Sequence, residues 1–560
     1  MKKKLCLMLA SIMVVSLLAA CGGNEGGNEG GNESGERPEG VQITMGRKVV
    51  TNAMLPEGQD VEENALIWKT EEELKIDIVD EFNGVDADYD QKVSMAMTSG
   101  SIPDIMRVST LAEVIELYEN EMIMDLTDVY ESTANDRIKE KYNSYPEGLG
   151  LDRARIDGGL YALPAANGDV APIICFMRSD WIDEIGLTVD EDGNRVLTYQ
   201  EIIDVAKAFK DANVEGVDNP LGLCINEIIW REGEGAYGLN FIANAFNAWP
   251  DTWYVENGEL VFGSVQPQVK DFLKVAAELY ADGTLDPQVG TREFDAVTET
   301  MVNGQFGMCF GAGHCPNWGL VNVYAMNNDA DYKCFLVSDL DGVIRHKHSD
   351  SAETGFIVVS SECEYPEVAV EILNLWFGYT SAEQEAFYDS DERVKELSDM
   401  GTDFAVGPYR ISLNYYTANL ENAQMQDAWL AGTMSLDEAA EINVDIRDWA
   451  KSYDAFKANE ADPSVALDAN DWKVYTSRFE AYSLMSVLDA YEKQEWLTPV
   501  FPAITDSRWA TLKDLQQQTY LKMIKGEVDI DAEWDNFVQQ WNDLGGAEIT
   551  AEAAASLGIK

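Results

Sequence analysis

The chain has 560 residues, with 40 Lys and Arg against 100 Asp and Glu, which gives a formal net charge of −60 at pH 7. A surface this acidic repels nucleic acid and anionic lipid headgroups, and it disfavours strongly anionic ligands unless a pocket supplies its own arginines. The length allows two or three domains, and 46% hydrophobic residues with 14 tryptophans indicate a folded protein rather than a disordered acidic tail.

The chain begins with a pattern typical of a secretion signal. Lysines at positions 2–4 precede an apolar run over residues 5–18, which is shorter than the roughly 20 residues that span a bilayer. The run ends in Leu-Ala-Ala-Cys, which resembles the lipobox of bacterial lipoproteins and implies cleavage before Cys21 and lipidation of its sulfur. We therefore predict a signal peptide over residues 1–20 and a lipoprotein anchored at the extracytoplasmic face of the cell membrane. An ordinary signal peptide with a chance cysteine is the alternative.

A polar segment follows Cys21. The sequence Gly-Gly-Asn-Glu occurs three times between residues 22 and 33. Because such a segment has nothing apolar to bury, we predict a flexible tether over residues 21–40 that lets the folded body reach a partner in the membrane.

Strands and helices alternate at the start of the predicted body. Hydrophobic periodicity predicts strands over residues 41–50, 75–79 and 103–108 and helices over residues 62–74, 89–98 and 111–118. Such alternation indicates a parallel sheet covered on both faces, whose ligands collect at the carboxyl ends of the strands.

Later elements carry clear start and stop signals. Thr198 and Glu201 form a capping box before a helix over residues 201–210, and Gly283 suits the end of a helix over residues 269–280. A buried strand over residues 354–359 precedes a helix that Pro366 starts. Residues 381–500 and 507–556 are predicted to be mostly helical, and no other run is apolar enough to cross a membrane.

Five sequence blocks resemble extracellular solute-binding proteins, the capture subunits of ABC importers. They follow one another in the order of that family over about residues 41–560. The blocks are SGSIPDI at 99–105, IDGGLYALP at 156–164, MRSDWIDEIGL at 177–187, LYADGTLDP at 279–287 and, near the end, KGE at 525–527 with WDNFV at 534–538. A lipobox followed by these blocks in this order resembles the large family 1 lipoproteins that bind carbohydrates.

The resemblance implies an α/β, type II periplasmic-binding-protein-like fold with two lobes, hinge crossovers and a helical C-terminal region. We place the crossovers at residues 173–176 and near 336–340. Lobe I is then residues 41–172 plus 338–385, and lobe II is residues 173–337 plus 386–560, including the C-terminal helices. The implied function is capture of a carbohydrate, in particular an oligosaccharide, by a monomer that delivers it to ABC permease subunits.

Two other functions stay open from the sequence. One is binding of a peptide or another solute. The other is a secreted lipoprotein glycosidase, because paired carboxylates are the catalytic groups of glycosidases and 100 acidic residues make any chosen pair uninformative. We expect no enzyme, since no recognisable nucleophile motif or metal site occurs.

Aromatic side chains are candidates for the ligand site because sugar C–H faces stack on rings. Trp318 follows the Gly311-Ala312-Gly313 turn, where many members of the resembled family place a sugar-stacking aromatic. Glu227 and Trp230 fall where that family places an acid and a ring. Core packing is the alternative for every tryptophan. The predicted ligand-binding residues are Asn167, Glu227, Trp230, Trp249, Trp253, Trp318 and Trp509.

A calcium site is a further hypothesis, and no other cofactor is expected. Asp211, Asn213 and Glu215 alternate before a glycine, as oxygen ligands do at the start of a calcium loop. Some members of the resembled family carry a calcium loop after this helix. Asn219 and Pro220 stand where an acidic pair is expected, so we predict at most weak binding.

Three remaining patterns carry little functional weight. Gly233-x-Gly235-x-x-Gly238 matches a dinucleotide fingerprint, but an exported protein lies away from the nicotinamide pool. His346-x-His348 lies in a polar stretch, for which we predict a solvated turn. Six cysteines follow the anchor and are expected to be buried thiols, with a Cys309–Cys315 disulfide left open.

Overall fold

The structure is a computed structural model that describes residues 37–50, 55–146, 149–167, 173–191, 193–212, 214, 217–226, 237–348, 355–399, 406–490, 492–495, 507–557 and 559. Residues Gly40–Lys560 form one compact unit. The predicted signal peptide, Cys21 and most of the predicted tether lie outside the described residues.

Fifteen strands are present in the described part of the chain. They are β1 (Val41–Lys48), β2 (Ile76–Gly84), β3 (Ile105–Val108), β4 (Arg155–Ile156), β5 (Gly159–Leu160), β6 (Leu163–Pro164), β7 (Ile174–Arg178), β8 (Val196–Thr198), β9 (Trp253–Glu256), β10 (Glu259–Phe262), β11 (Met308–Gly311), β12 (Tyr332–Ser338), β13 (Arg345–His348), β14 (Phe356–Val359) and β15 (Glu492–Glu495).

The helices pack around these strands. Those up to residue 326 are α1 (Ala65–Leu74), α2 (Asp86–Ser99), α3 (Leu111–Glu119), α4 (Thr127–Thr133), α5 (Asp136–Asn143), α6 (Ser179–Ile185), α7 (Tyr199–Asp211), α8 (Asn240–Ala245), α9 (Gln268–Ala281), α10 (Phe294–Val302) and α11 (Leu320–Met326). The later ones are α12 (Glu367–Phe377), α13 (Ser381–Asp389), α14 (Glu392–Asp399), α15 (Ala418–Leu430), α16 (Leu436–Ile442), α17 (Ile446–Ala461), α18 (Ala469–Tyr475), α19 (Ser507–Ile524), α20 (Ile530–Trp541) and α21 (Ala547–Ser556).

The first sheet has the strand order β2-β1-β3-β14-β6. β1 runs parallel to β2 and β3, as the strand and helix alternation predicted, whereas β14 is antiparallel to β3 and β6. Its core includes Ile43, Ile105 and Phe356, and it also takes Tyr409 and Ile411, which lie beyond the predicted lobe boundary at residue 385.

The second sheet has the order β11-β7-β12-β8. β7 is antiparallel to β11 and β12, and β8 is parallel to β12. Buried side chains of the C-terminal helices, such as Leu512, Tyr520 and Trp534, share a core with this part of the chain. Three two-stranded sheets, β4-β5, β9-β10 and β13-β15, complete the described chain. The two larger sheets pack against different cores, and the predicted mixed α/β fold is confirmed.

Local signals in the sequence account for the helix ends. Thr198 and Glu201 form the predicted capping box at α7, and Pro366 stands directly before α12. Gly283 has a φ of +76° just after α9, a conformation that glycine adopts without strain. None of the helices in the described ranges has both the length and the apolar character that a membrane span requires.

Candidate functional site

The chain passes from the first sheet to the second after β6 and returns to the first sheet at β14. One end of each of these two sheets lies where the chain crosses. β7 begins at Ile174, which pairs with Gly311 at the end of β11. β14 begins at Phe356, which pairs with Val108 at the end of β3. We name these places the second-sheet end and the first-sheet end. Ligands of α/β sheets bind outside the carboxyl ends of strands, so these ends are the candidate site.

A polar network lies at the first-sheet end. The buried Arg107 guanidinium donates to Ser109 Oγ at 3.1 Å through Nη1 and to the carbonyl oxygen of Arg410 at 3.1 Å through Nε. Ser109 Oγ donates to Asp90 Oδ1 at 3.0 Å, and Lys48 Nζ lies 3.6 Å from the same oxygen. Planar donors and carboxylate acceptors of this kind suit the hydroxyl groups of a neutral polar ligand.

The Arg107 side chain is held by close packing as well as by hydrogen bonds. Burial lowers the pKa of Arg107, with the opposing influence of the nearby Tyr89 phenol second in size. Gly355 has a φ of +90°, and a Cβ at that position would lie 2.8 Å from the Arg107 guanidinium. A glycine is therefore needed where the chain enters β14.

Asn167 lies near the first-sheet end, three residues beyond β6. Its Oδ1 accepts a hydrogen bond from Asn414 Nδ2 at 3.3 Å, and the side chain is half-buried. The backbone of Ala166 exchanges hydrogen bonds of 2.8 Å with the segment around Leu413. Asn167 thus offers amide groups next to the polar network, and its role in ligand binding stays a prediction.

A tight turn forms the second-sheet end. β11 ends at Gly311, and the chain continues through Gly313 to a short 3-10 helix, Cys315–Asn317. The Gly313 carbonyl accepts a hydrogen bond from Ser477 Oγ at 2.9 Å. A Cβ on Gly313 would lie 3.0 Å from the Tyr482 ring, so glycine permits this close approach.

Trp318 follows this turn and is half-buried. Its ring centroid lies 5.6 Å from that of Phe294 and 5.9 Å from that of Tyr237, which stands nearly perpendicular to it at 81°. The side chain is therefore supported by two rings without being enclosed in the core. This placement is compatible with the predicted stacking on a sugar, which stays a prediction.

The other described tryptophan candidates lie elsewhere in the second core. Trp249 and Trp253 are 1% and 4% exposed, and Trp249 Nε1 donates to Asn247 Oδ1 at 2.7 Å. Trp509 is half-buried and stacks on Trp253 at 5.7 Å. All three pack in a different hydrophobic cluster from Trp318. Their packing matches the alternative of a core role that the sequence left open.

Glu227 and Trp230 lie outside the described residues, as do Gly233 and Gly235 of the dinucleotide-like pattern. The residues on either side of this stretch are joined, since the Asn226 amide donates to the Tyr237 carbonyl at 3.1 Å.

The calcium hypothesis receives no added support. Asp211 is exposed at the end of α7, with Lys210 Nζ 3.5 Å from its Oδ1. Asn213 and Glu215 lie outside the described residues. Within the residues that the structure does describe, no group of three His, Cys, Asp or Glu side chains is arranged to hold a metal ion.

Two smaller expectations are settled by the packing. His346 is only 1% exposed and lies in β13, so the predicted solvated turn is wrong. The reason is tertiary: β13 pairs with β15, which is far away in the sequence. The six described cysteines are buried, as predicted, and no disulfide joins Cys309 to Cys315.

Several residues of the two sheet ends escaped the sequence analysis. Ser109 directly follows the predicted strand 103–108, so the carboxyl-end rule was a usable signal for it. Arg410, Tyr482 and Tyr237 reach the site from distant parts of the chain, and no local pattern announces them.

Comparison with known proteins relates the chain to one class by structure. No protein-family model matches the sequence, and no curated protein matches it. An HMO-binding, ABC-transporter-associated solute-binding protein from Bifidobacterium longum infantis is 15% identical, with 93% of this chain and 99% of that chain covered and a TM-score of 0.63.

Two pneumococcal structures are also similar. FusA, an ABC-transporter substrate-binding protein of S. pneumoniae in complex with kestose, is 16% identical over 91% of this chain and 98% of that chain, with a TM-score of 0.56. NgtS, an N-glycan transport solute-binding protein from Streptococcus pneumoniae, is 15% identical over 92% of this chain and 99% of that chain, with a TM-score of 0.55. The chain therefore has the two-lobed fold of the extracellular solute-binding proteins, as the sequence predicted.

Proposed function

We propose that this protein is a lipid-anchored substrate-binding protein that captures an oligosaccharide between its two lobes and delivers it to an ABC permease. The observation that carries the proposal is the shared fold over at least 91% of the chain with proteins named for HMO, kestose and N-glycan ligands or transport. These similar structures are binding proteins, and this supports binding without turnover.

The chemistry of the two sheet ends supports a neutral saccharide as the ligand. The first-sheet end offers a guanidinium, an ammonium, a hydroxyl and a carboxylate within one network around Arg107. The second-sheet end offers the half-buried indole of Trp318. Hydroxyl groups of a sugar need polar partners and its C–H faces need a ring, so the two ends complement each other.

Closure of the lobes around a ligand is the expected mode of capture. The predicted hinges are the crossovers at residues 173–176 and near 336–340. A closed, loaded form then presents a surface made of both lobes to the permease, while lipid at Cys21 keeps the protein near the membrane.

A thermal-shift screen of neutral oligosaccharides tests the ligand class. The panel contains milk oligosaccharides, kestose, N-glycans and maltose-type oligosaccharides, with peptides and alginate oligosaccharides for comparison. We expect a neutral oligosaccharide to raise the melting temperature most. A peptide that gives the only shift would overturn the proposal, and cleaved sugar released at enzyme-like rates would favour the glycosidase alternative.

A matched pair of variants then tests the role of Trp318. Trp318→Ala should weaken binding of the best saccharide by about tenfold or more, equivalent to about 1.4 kcal/mol, with little change in the ligand-free melting temperature. Trp429→Ala truncates another half-buried indole, which packs on Tyr453 and Phe479 in a separate cluster, and should leave affinity unchanged. Equal effects of the two variants on affinity would place the site elsewhere.

A further inference from the structure

Tyr237 combines three unusual properties beside Trp318. It is 2% exposed, its φ is +56°, and its ring packs against both Phe294 and Trp318. A bulky residue in the left-handed region is a genuine conformational outlier. Such strain persists only where the surroundings enforce it, and it concentrates at ligand clamps and other functional sites.

Tyr237 is held through its side chain and through its backbone. Its hydroxyl lies 3.2 Å from Thr298 Oγ1, and its backbone carbonyl accepts the Asn226 amide at 3.1 Å. Phe294 and Thr298 are four residues apart on α10, and therefore on one face of that helix. The ring of Tyr237 thus rests on a single helix face, with its centroid 4.9 Å from that of Phe294.

A buried ion pair fixes α10 in turn. Arg292, just before the helix, donates through Nε to Asp286 Oδ2 at 2.7 Å and through Nη1 to Thr300 Oγ1 at 3.0 Å. Asp286 is 1% exposed, so this pair is shielded from solvent. A continuous set of contacts therefore leads from the ion pair through α10 and Tyr237 to the Trp318 indole.

We infer that Tyr237 is a positioning residue, which holds the Trp318 ring at the angle that a saccharide needs for stacking. The inference rests on the proposed function for its ligand, but the placement of the indole is a property of the ligand-free protein. Tyr237 stands nearly perpendicular to Trp318 and does not itself need to contact the sugar. Without the Tyr237 ring, the Trp318 indole should no longer be held in a single orientation.

The chain supplies a matched control for removing a tyrosine ring from beside a tryptophan. Tyr324 stacks on Trp472 at 4.7 Å, and it is buried in the same hydrophobic cluster as Tyr237. Tyr324→Leu therefore causes a similar loss of core packing without touching Trp318. Tyr237→Phe keeps the ring and loses only the hydroxyl contact with Thr298.

The first measurement uses no ligand. The emission and acrylamide quenching of Trp318 are obtained as the difference between each protein and its own Trp318→Phe derivative. We expect Tyr237→Leu to shift that difference spectrum and raise its quenching, whereas Tyr237→Phe and Tyr324→Leu leave both near wild type. An unchanged Trp318 signal in Tyr237→Leu would overturn the inference, whether or not any saccharide binds.

The second measurement uses the saccharide that gives the largest thermal shift in the panel above. Tyr237→Leu should weaken its binding by about fivefold or more, and Tyr324→Leu should stay within about twofold of wild type. Equal losses of affinity in Tyr237→Leu and Tyr324→Leu would overturn the inference. So would an unchanged affinity of Tyr237→Leu when Trp318→Ala binds more weakly.

Failure of every saccharide to bind the wild-type protein would refute the proposed function. The fluorescence result would then decide the inference. Should Tyr237→Leu fail to fold, Tyr237→Met, which also removes the ring but keeps a longer apolar side chain, carries both measurements.

Discussion

Buried thiols make the stability of this protein sensitive to alkaline pH. Burial raises the pKa of five cysteine thiols, because the low-dielectric interior disfavours the thiolate, and the pKa of one of them, Cys363, reaches about 11. In an unfolded chain a thiol ionises at about pH 8.5. The five are Cys175, Cys224, Cys309, Cys334 and Cys363.

The sign and size of the effect follow from proton linkage. Between about pH 7.5 and 9.5 the unfolded state loses thiol protons that the folded state keeps, so the free energy of unfolding falls as pH rises. Each thiol contributes a loss of about 1.4 kcal/mol over this interval, and five contribute about 7 kcal/mol. Typical domains have only about 5–15 kcal/mol in total.

Lys141 and the buried tyrosines also change the free energy of unfolding in this pH interval, and their effects have opposite signs. Burial and the neighbouring Arg137 lower the pKa of Lys141 to about 8, so within this interval the folded state gives up a proton that the unfolded state keeps, and the residue restores about 2 kcal/mol. Buried tyrosines with raised pKa values, such as Tyr142, Tyr409 and Tyr520, together remove a similar amount as unfolded phenols begin to ionise. The thiols therefore set the net change.

A pair of core variants isolates one thiol. Cys175→Ala and Val358→Ala each truncate a fully buried strand residue, so both lower the stability, but only the first removes a titrating group. Urea unfolding with a non-thiol reductant is repeated across the pH interval. It gives, for each protein, the fall in the free energy of unfolding between about pH 7.5 and 9.5. Cys175→Ala should lose about 1.4 kcal/mol less than wild type, and Val358→Ala should lose as much as wild type. Equal losses in all three proteins, or a flat wild-type profile, would refute the reasoning.

Three further predictions concern the anchor, the metal and the core. Cys21→Ala should move the protein from the membrane fraction into the medium, and retention of the variant at the membrane would contradict the lipid anchor. A chelator should leave the melting temperature unchanged if the Asp211 segment is an ordinary turn, whereas a large fall would mean that other oxygens complete a calcium shell. Trp249→Ala should cost about 3–5 kcal/mol in urea unfolding without changing saccharide affinity, because the indole is fully buried. Weakened binding in a folded Trp249→Ala protein would instead bring that residue into the site.

Elements with local determinants were predictable from the sequence. The capping box at Thr198 and the proline before α12 act within a few residues of the helix ends they set, and both occur as expected. The strand predicted over 75–79 is β2, which continues to Gly84 because it pairs with β1 along its whole length. The extension depends on a neighbouring strand and cannot be seen in the strand's own pattern.

The site was harder to predict because its geometry depends on distant segments. Trp249 and Trp318 are the same residue type, and only the packing distinguishes a 1% exposed core indole from a half-buried one at a sheet end. The buried His346 is a similar case, since its partner strand β15 lies near residue 492. The support of Trp318 by Tyr237 depends on a left-handed backbone angle that no sequence motif marks.

The position of β14 determines the order in which a growing chain can complete its sheets. All strands of the second sheet lie between β6 and β14 in the sequence, so that sheet can close while the first still lacks its fourth member. Until residues 356–359 emerge from the ribosome, β3 and β6 keep open edges with unsatisfied backbone groups. Such distant pairing slows folding of the first sheet. The same delay makes a prematurely terminated chain a substrate for chaperones and proteases, because one edge of β3 and the whole of β6 then lack the strand that pairs with them.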